Sequence, residues 1–349
     1  MKFMNSVTLY TLYLFLLLFA GCTKADGNDN HGQEPEKPVD VGMPVIYATG
    51  SSKDVKTNTT AGLLLAGGGT DVDEAMKWML NNANGGDVVV IRVSGSDGYN
   101  TYLYSSLGVS LNSVKSLVID TRDKANKDSV FNIICNAEAL FIAGGDQSDY
   151  LRLWSNTKVS DAIKYLLDIK KVTIGGTSAG MAVLSEFSFT GEMGSATSQE
   201  SLMNPYDQKI TIEKSFIKTA LLSGYITDTH FSQRDRFGRL VAFMARVVKD
   251  YKIFPKAIAC DEYSAVCIES SGVATVYGRN AFFVETLDTS SFVCETAKPL
   301  NWTYPTGALR YTKIRGDLAG TSKFNLNSWS SNTNSWTHLN ILNGTLTYF

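Results

Sequence analysis

The sequence predicts an α/β fold: a mostly parallel sheet with helices on both faces and a β-rich C-terminal part. Three observations predict it. From about Val45 onward, short apolar runs alternate with amphipathic segments of helical period. Those runs are nearly continuous, without the polar-out alternation of a sheet that has one wet face, so both faces of the strands are covered. Three of the runs end in glycines: Gly67-Gly68-Gly69, Gly144-Gly145 and Gly175-Gly176. In open α/β sheets ligands bind beyond the carboxyl ends of the strands, and glycine there permits positive φ and close backbone approach.

The elements follow in order. GLLLAGGG (62–69) is the first strand. DVDEAMKWMLNNA (71–83) opens with acidic residues, which suit the positive end of a helix dipole. DVVVIRVSG (87–95) and VKSLVID (114–120) read as strands, and DSVFNIICNAE (128–138) as a helix. ALFIAGGDQ (139–147) is a fourth strand, SDAIKYLLDIK (160–170) a helix, and KVTIGGTS (171–178) a fifth strand. A short strand, YIT, precedes FGRLVAFMARVV (237–248), whose Phe237, Val241, Met244 and Val248 share one helical face. KAIACDEYSAVCIES, GVATVYG and AFFVET are then β-like, and from Leu309 the chain is rich in Ser, Asn and Thr with strand-like pieces.

The first 22 residues stand apart. Lys2 precedes an apolar run, Val7 to Ala20, that ends at Ala20-Gly21-Cys22. That pattern reads as a secretory leader of lipoprotein type, with lipidation at Cys22. Residues 23–44 are polar with Gly and Pro, a flexible tether. The expected organisation is therefore leader 1–22, tether 23–44, α/β domain 45–308 and C-terminal extension 309–349. The expected location is export, with a lipid anchor in a bacterial membrane on its periplasmic or cell-surface side. Apolar residues make up 44% of the 349, enough for one large core or two modest ones. A formal charge of -2 and the absence of a basic block argue against nucleic acid as a main partner. Cys135, Cys260, Cys267 and Cys294 are spaced too irregularly for a disulfide framework or a zinc site and read as small buried hydrophobes.

Gly176-Thr177-Ser178-Ala179-Gly180 fits the nucleophile-elbow pattern G-x-S-x-G, between a strand and a helix as that motif requires. A serine on so sharp a turn projects its hydroxyl into the cleft, where the amide of Ala179 can stabilise an oxyanion. The hydroxyl needs a base. Of three histidines, His31 lies in the tether and His338 in the polar C-terminal stretch, which leaves His230. It follows a strand, so it belongs at the same sheet edge as Ser178. Arg234, Arg236 and Arg239 stand at a helix start, where the dipole disfavours cations. They read as binders of a substrate carboxylate, or more plainly as surface ion pairs with Asp228 or Asp235. The acid that would orient the imidazole is left open among Glu192, Glu200, Asp261 and Glu262.

Five stretches in order, GGGTDVDEA (67–75), FIAGGDQSDYL (141–151), IGGTSAGMAVL (174–184), DTHFSQRDRFGRL (228–240) and ACDEYSAV (259–266), resemble the cyanophycinase branch of the S51 serine peptidases, relatives of dipeptidase E. The resemblance covers about residues 60 to 285 and implies a flavodoxin-like fold of the class I glutamine amidotransferase-like kind. It implies that Ser178 is the nucleophile and His230 the base, with the Gly145 and Ala179 amides as oxyanion hole. Gln147, Asp228, Arg234, Arg236 and Arg239 match substrate-binding or pocket positions. Glu262 matches a site glutamate and is favoured as the orienting acid, with Glu192 as alternative, because dipeptidase E-like members place an acid shortly after the serine. The sequence departs from the family at Thr229, where Gln is usual, and in a long polar loop, 190–216. No metal or cofactor is implied, and a homodimer is what the resemblance suggests. The expected activity is hydrolysis of peptide or isopeptide bonds in aspartyl-containing substrates. The competing expectation is a catalytically silent surface lipoprotein that binds peptides in the same cleft.

Overall fold

The computed structural model describes residues 42–331 and 335–349. The leader, Cys22 and the tether through residue 41 lie outside the described residues. The first half of the chain runs β1 (Val45–Gly50), β2 (Gly62–Ala66), α1 (Asp73–Asn82), β3 (Asp87–Arg92), β4 (Ser113–Val118), α2 (Arg122–Ala125), α3 (Asp128–Asn136), β5 (Ala139–Ile142), α4 (Gln147–Trp154), α5 (Lys158–Tyr165), β6 (Thr173–Thr177) and α6 (Ala179–Ala182). β4, β3, β5, β6 and β2 lie side by side in that order, all parallel, with β1 antiparallel on the outer edge of β4.

Successive residues of these strands enter different cores. Val88 and Val90 pack with Met79 and Leu80 of α1, whereas Val89 and Ile91 pack with Trp154 and Ile163 on the other face. The unbroken apolar runs are the direct record of that two-sided burial.

The second half adds β7 (Phe187–Phe189), α7 (Ser198–Met203), β8 (Ile212–Lys214), β9 (Tyr225–Asp228), α8 (Phe237–Arg246), β10 (Lys256–Cys260), β11 (Ser264–Glu269), β12 (Val273–Gly278), β13 (Asn280–Thr286), β14 (Ser291–Val293), β15 (Asn301–Thr303), β16 (Leu309–Arg315), β17 (Lys323–Asn325), β18 (Ser330–Ser331), β19 (Thr337–Leu342) and β20 (Thr345–Tyr348). β11, β12, β17 and β18 extend the first sheet beyond β2. The others form a second sheet, in which β9 and β10 are parallel neighbours at the centre. α8 buries Leu240, Phe243 and Met244 against that sheet, with Phe187, Phe189 and Trp302.

Four sequence expectations change. The helix at 128–138 stops at Asn136, because the fully buried Glu138 turns inward to accept from the Asp87 amide and to pair with Lys170. Gln147, expected at the end of a strand, opens α4, since Asp146 caps that helix by accepting from the Ser148 amide. Part of the polar loop 190–216 is regular: α7 has a Thr197–Glu200 capping box. Residues 309–349 are not set apart as an extension. β16 pairs with β13 along seven residues and β17 pairs with β12, so both sheets need this stretch to cover otherwise open edges. Cys135, Cys260, Cys267 and Cys294 are free thiols, and the last three are buried.

Candidate active site

Five strand ends meet at one place: those of β2, β5 and β6 from the first sheet and of β9 and β10 from the second. Ser178 follows β6 with φ 52 and ψ -114, a conformation that a non-glycine residue holds only under constraint. The two glycines of the elbow are what admit the turn. A Cβ on Gly176 would lie 2.5 Å from the carbonyl of Gly180, and one on Gly180 would lie 2.1 Å from the carbonyl oxygen of Ile142. No side chain fits where strand and helix cross.

His230 follows β9, also at positive φ (46), with its amide donating to the Gly67 carbonyl at 2.8 Å. Its Nε2 stands 2.8 Å from Ser178 Oγ, and its Nδ1 stands 2.7 Å from Oε1 of Glu262, just after β10. An ionised carboxylate has no proton to give, so Nδ1 donates to Glu262 and Nε2 is left to accept from the serine. The first glycine cluster forms the floor beneath this chain of bonds. A Cβ on Gly68, at φ 95, would lie 2.5 Å from the imidazole, and one on Gly69 would lie 3.2 Å from Cβ of Glu262. Burial lowers the His230 pKa below the ordinary value; the Glu262 bond opposes this, and the charges of Arg234 and Arg236 add to the lowering. The imidazole is therefore held neutral near pH 7, the form that can take a proton.

The Gly144-Gly145 turn lies alongside. A Cβ on Gly144 would be 3.6 Å from that of Ser178. Tyr150 fixes the turn by donating to the carbonyls of Ala143 and Gly144 at 2.9 and 3.1 Å. Among the described residues neither the Gly145 amide nor the Ala179 amide has a protein acceptor, so both remain free to donate to a bound oxyanion.

The three arginines divide. Arg239, only 3% exposed, grips the buried Asp228 through Nε at 2.8 Å and Nη2 at 2.5 Å, and donates to Ser195 Oγ at 2.9 Å. Its guanidinium also lies over Phe189 and Phe243. Arg236 donates to the Thr229 carbonyl at 2.8 Å and lies 3.7 Å from Asp228, and burial pushes its pKa down to about 10. The ion-pair reading thus describes these two, though the pairs are buried rather than at the surface. Arg234 is exposed; its amide donates to the His230 carbonyl at 3.1 Å, but its guanidinium makes no hydrogen bond or ion pair among the described residues, and it lines the pocket beside Ser178 together with Gln147, Ser195 and Thr229. Gln147 also donates to the Phe189 carbonyl at 3.3 Å.

Of the acids left open by the sequence, only Glu262 reaches the imidazole. Glu192 is exposed in the loop after β7, and its carboxylate bonds to nothing among the described residues. Glu200 caps α7 and pairs with Lys209. Asp261 accepts from the Ser232 amide and from Asn280. Two contributors went unread in the sequence. Gln233 accepts from the Glu262 amide at 2.9 Å, and Ser195 accepts from Arg239. Gln233 lies inside the histidine motif, so a signal was there, but nothing local says which amide it meets.

The family model for peptidase family S51 matches residues 63–276, more than half of the chain. A cyanophycinase from Geminocystis herdmanii (strain PCC 6308) is 23% identical over 199 residues, which cover 55% of this chain and 70% of that protein. One from Trichormus variabilis (strain ATCC 29413 / PCC 7937) is 26% identical over 168 residues, covering 48% of this chain and 51% of its own length. This chain therefore spans between about half and seven-tenths of these relatives. A solved peptidase from an acI-B1 Actinobacterium superposes with a TM-score of 0.48 at 16% identity, covering 64% of this chain and 90% of its own.

Proposed function

Because the chain belongs to peptidase family S51, we propose that it is a serine-type peptidase that hydrolyses peptide or isopeptide bonds of aspartyl-containing substrates through Ser178, His230 and Glu262. The observation that carries this reading is the continuous chain of two bonds, 2.8 and 2.7 Å, from a strained serine through a neutral histidine to a carboxylate. His230 Nε2 takes the Ser178 proton as Oγ attacks the scissile carbonyl. The oxyanion so formed is held by the amides of Gly145 and Ala179. Glu262 steadies the imidazolium, which then protonates the leaving amine. Water, deprotonated by His230, attacks the acyl-enzyme; collapse of that adduct breaks the acyl–oxygen bond and returns the proton to Ser178.

The aspartyl preference rests on Arg234. Asp228 already occupies Arg236 and Arg239, so Arg234 is the pocket guanidinium left to hold a free carboxylate. The curated relatives named as cyanophycinases support the same class of substrate. The leader ending at Cys22 makes the enzyme a lipid-anchored exported protein in this reading.

A screen of β-aspartyl dipeptides, α-aspartyl dipeptides and cyanophycin tests the proposal. Hydrolysis of at least one class, absent in Ser178→Ala, is the expected result. Binding without turnover across the panel would instead favour the silent peptide-binding lipoprotein.

A further inference from the structure

The loops that carry His230 and Glu262 are joined by a reciprocal pair of side-chain bonds that the hydrolytic scheme does not use. Asp261 reaches from the acid-bearing loop to the base-bearing one, where its Oδ1 accepts from the Ser232 amide at 2.8 Å. Gln233 reaches the other way, and its Oε1 accepts from the Glu262 amide at 2.9 Å. Asp261 is 1% exposed, and its second oxygen accepts from Asn280 Nδ2 at 2.7 Å. The direct backbone bond between the loops, from the Phe231 amide to the Cys260 carbonyl, is long at 3.2 Å.

Two features make such ties necessary. Both loops hold a non-glycine residue at positive φ, His230 at 46 and Tyr263 at 56. Such a residue is strained and persists only where its surroundings over-determine it. The Glu262 side chain, moreover, is 34% exposed, so packing does not fix it. Its carboxylate stays 2.7 Å from Nδ1 because its backbone is held.

We propose that Asp261 and Gln233 form a two-way latch that sets the separation of His230 and Glu262. Both are positioning residues, and the inference rests on the triad reading above. Gln233 acts through Glu262, whose amide it holds, which separates it from a general contribution to folding. Opening it loosens the carboxylate–imidazole bond, and since that bond raises the His230 pKa, the acid limb of the reaction moves to lower pH.

The test is the rate at which a fluorophosphonate probe labels Ser178, measured across pH. Gln233→Ala is expected to slow labelling about 10- to 100-fold, part of the roughly 10²–10⁴-fold that a positioned general base supplies. Its acid limb moves down in pH while its Tm stays at the wild-type value. In a Glu262→Gln background the same substitution is expected to change nothing further. Asp261→Asn, which keeps an oxygen for the Ser232 amide, is expected to label near the wild-type rate, and Asp261→Ala to label slowly. Equal slowing by Gln233→Ala in both backgrounds, or none in the wild-type background, overturns the latch. If Glu262→Gln alone labels at the wild-type rate, the fault lies instead in the triad.

Discussion

The two sheets contribute opposite kinds of wall to the cleft. The first supplies Ser178 and the glycine turns after β2 and β5, and it works by keeping side chains out. The second supplies Asp228, His230, Arg236, Arg239 and Glu262, and it works through bonds between side chains. One wall should break when atoms are added, the other when groups are removed. Strain is common to both, since Ser178 and His230 each hold positive φ.

The largest effects belong to the residues where the walls meet. Ser178→Ala is expected to abolish turnover, and His230→Ala to lower kcat by about 10³- to 10⁴-fold or more. Circular dichroism of both variants should match the wild type. Glu262→Gln is expected to follow at roughly 10²- to 10⁴-fold, while Glu192→Gln leaves kcat unchanged. A comparable loss in Glu192→Gln would move the acid to the loop after β7.

Addition to the glycine wall comes next. Gly68→Ala places a methyl group 2.5 Å from the His230 ring at φ 95. It is expected to cost about 1–3 kcal/mol in urea unfolding and to lower kcat far more than KM. On the charged wall, Asp228→Ala leaves Arg239 buried without its partner and is expected to cost about 3–5 kcal/mol. Arg234→Ala should leave stability unchanged and raise KM roughly tenfold or more for substrates with a free carboxylate, consistent with about 1.5–3 kcal/mol for a charged hydrogen bond. Equal stability losses at Asp228 and Arg234 would erase the division drawn among the arginines.

The glycine wall was legible in the sequence because its constraints are local. A run such as TIGGTSAG announces a buried strand, a tight turn and a helix within a few residues of one another. His230 was legible by scarcity and by its place after a strand. Of the charged wall, the sequence offered the residues but left their pairing open, because the bonds form only in the folded chain: Glu262 meets a histidine 32 positions away, and Arg239 meets Asp228 only once α8 packs on β9. From sequence the acid stayed open among four candidates until the family resemblance favoured Glu262. The second sheet escaped for the same reason. The β13–β16 pairing gives no local signature, so residues from Leu309 onward looked like an appendage.

The most direct test of a neutral histidine acting on a strained serine is the pH dependence of fluorophosphonate labelling, with the adduct mapped by mass spectrometry. The account predicts a single adduct on Ser178, lost in Ser178→Ala and slowed in His230→Ala. Protonation of His230 removes the base, so the rate should rise with pH through an ionisation below the ordinary histidine value of 6.5 and stay level above it. An unlabelled folded protein, an adduct on another residue, or a rate that still climbs well above that pH would contradict it.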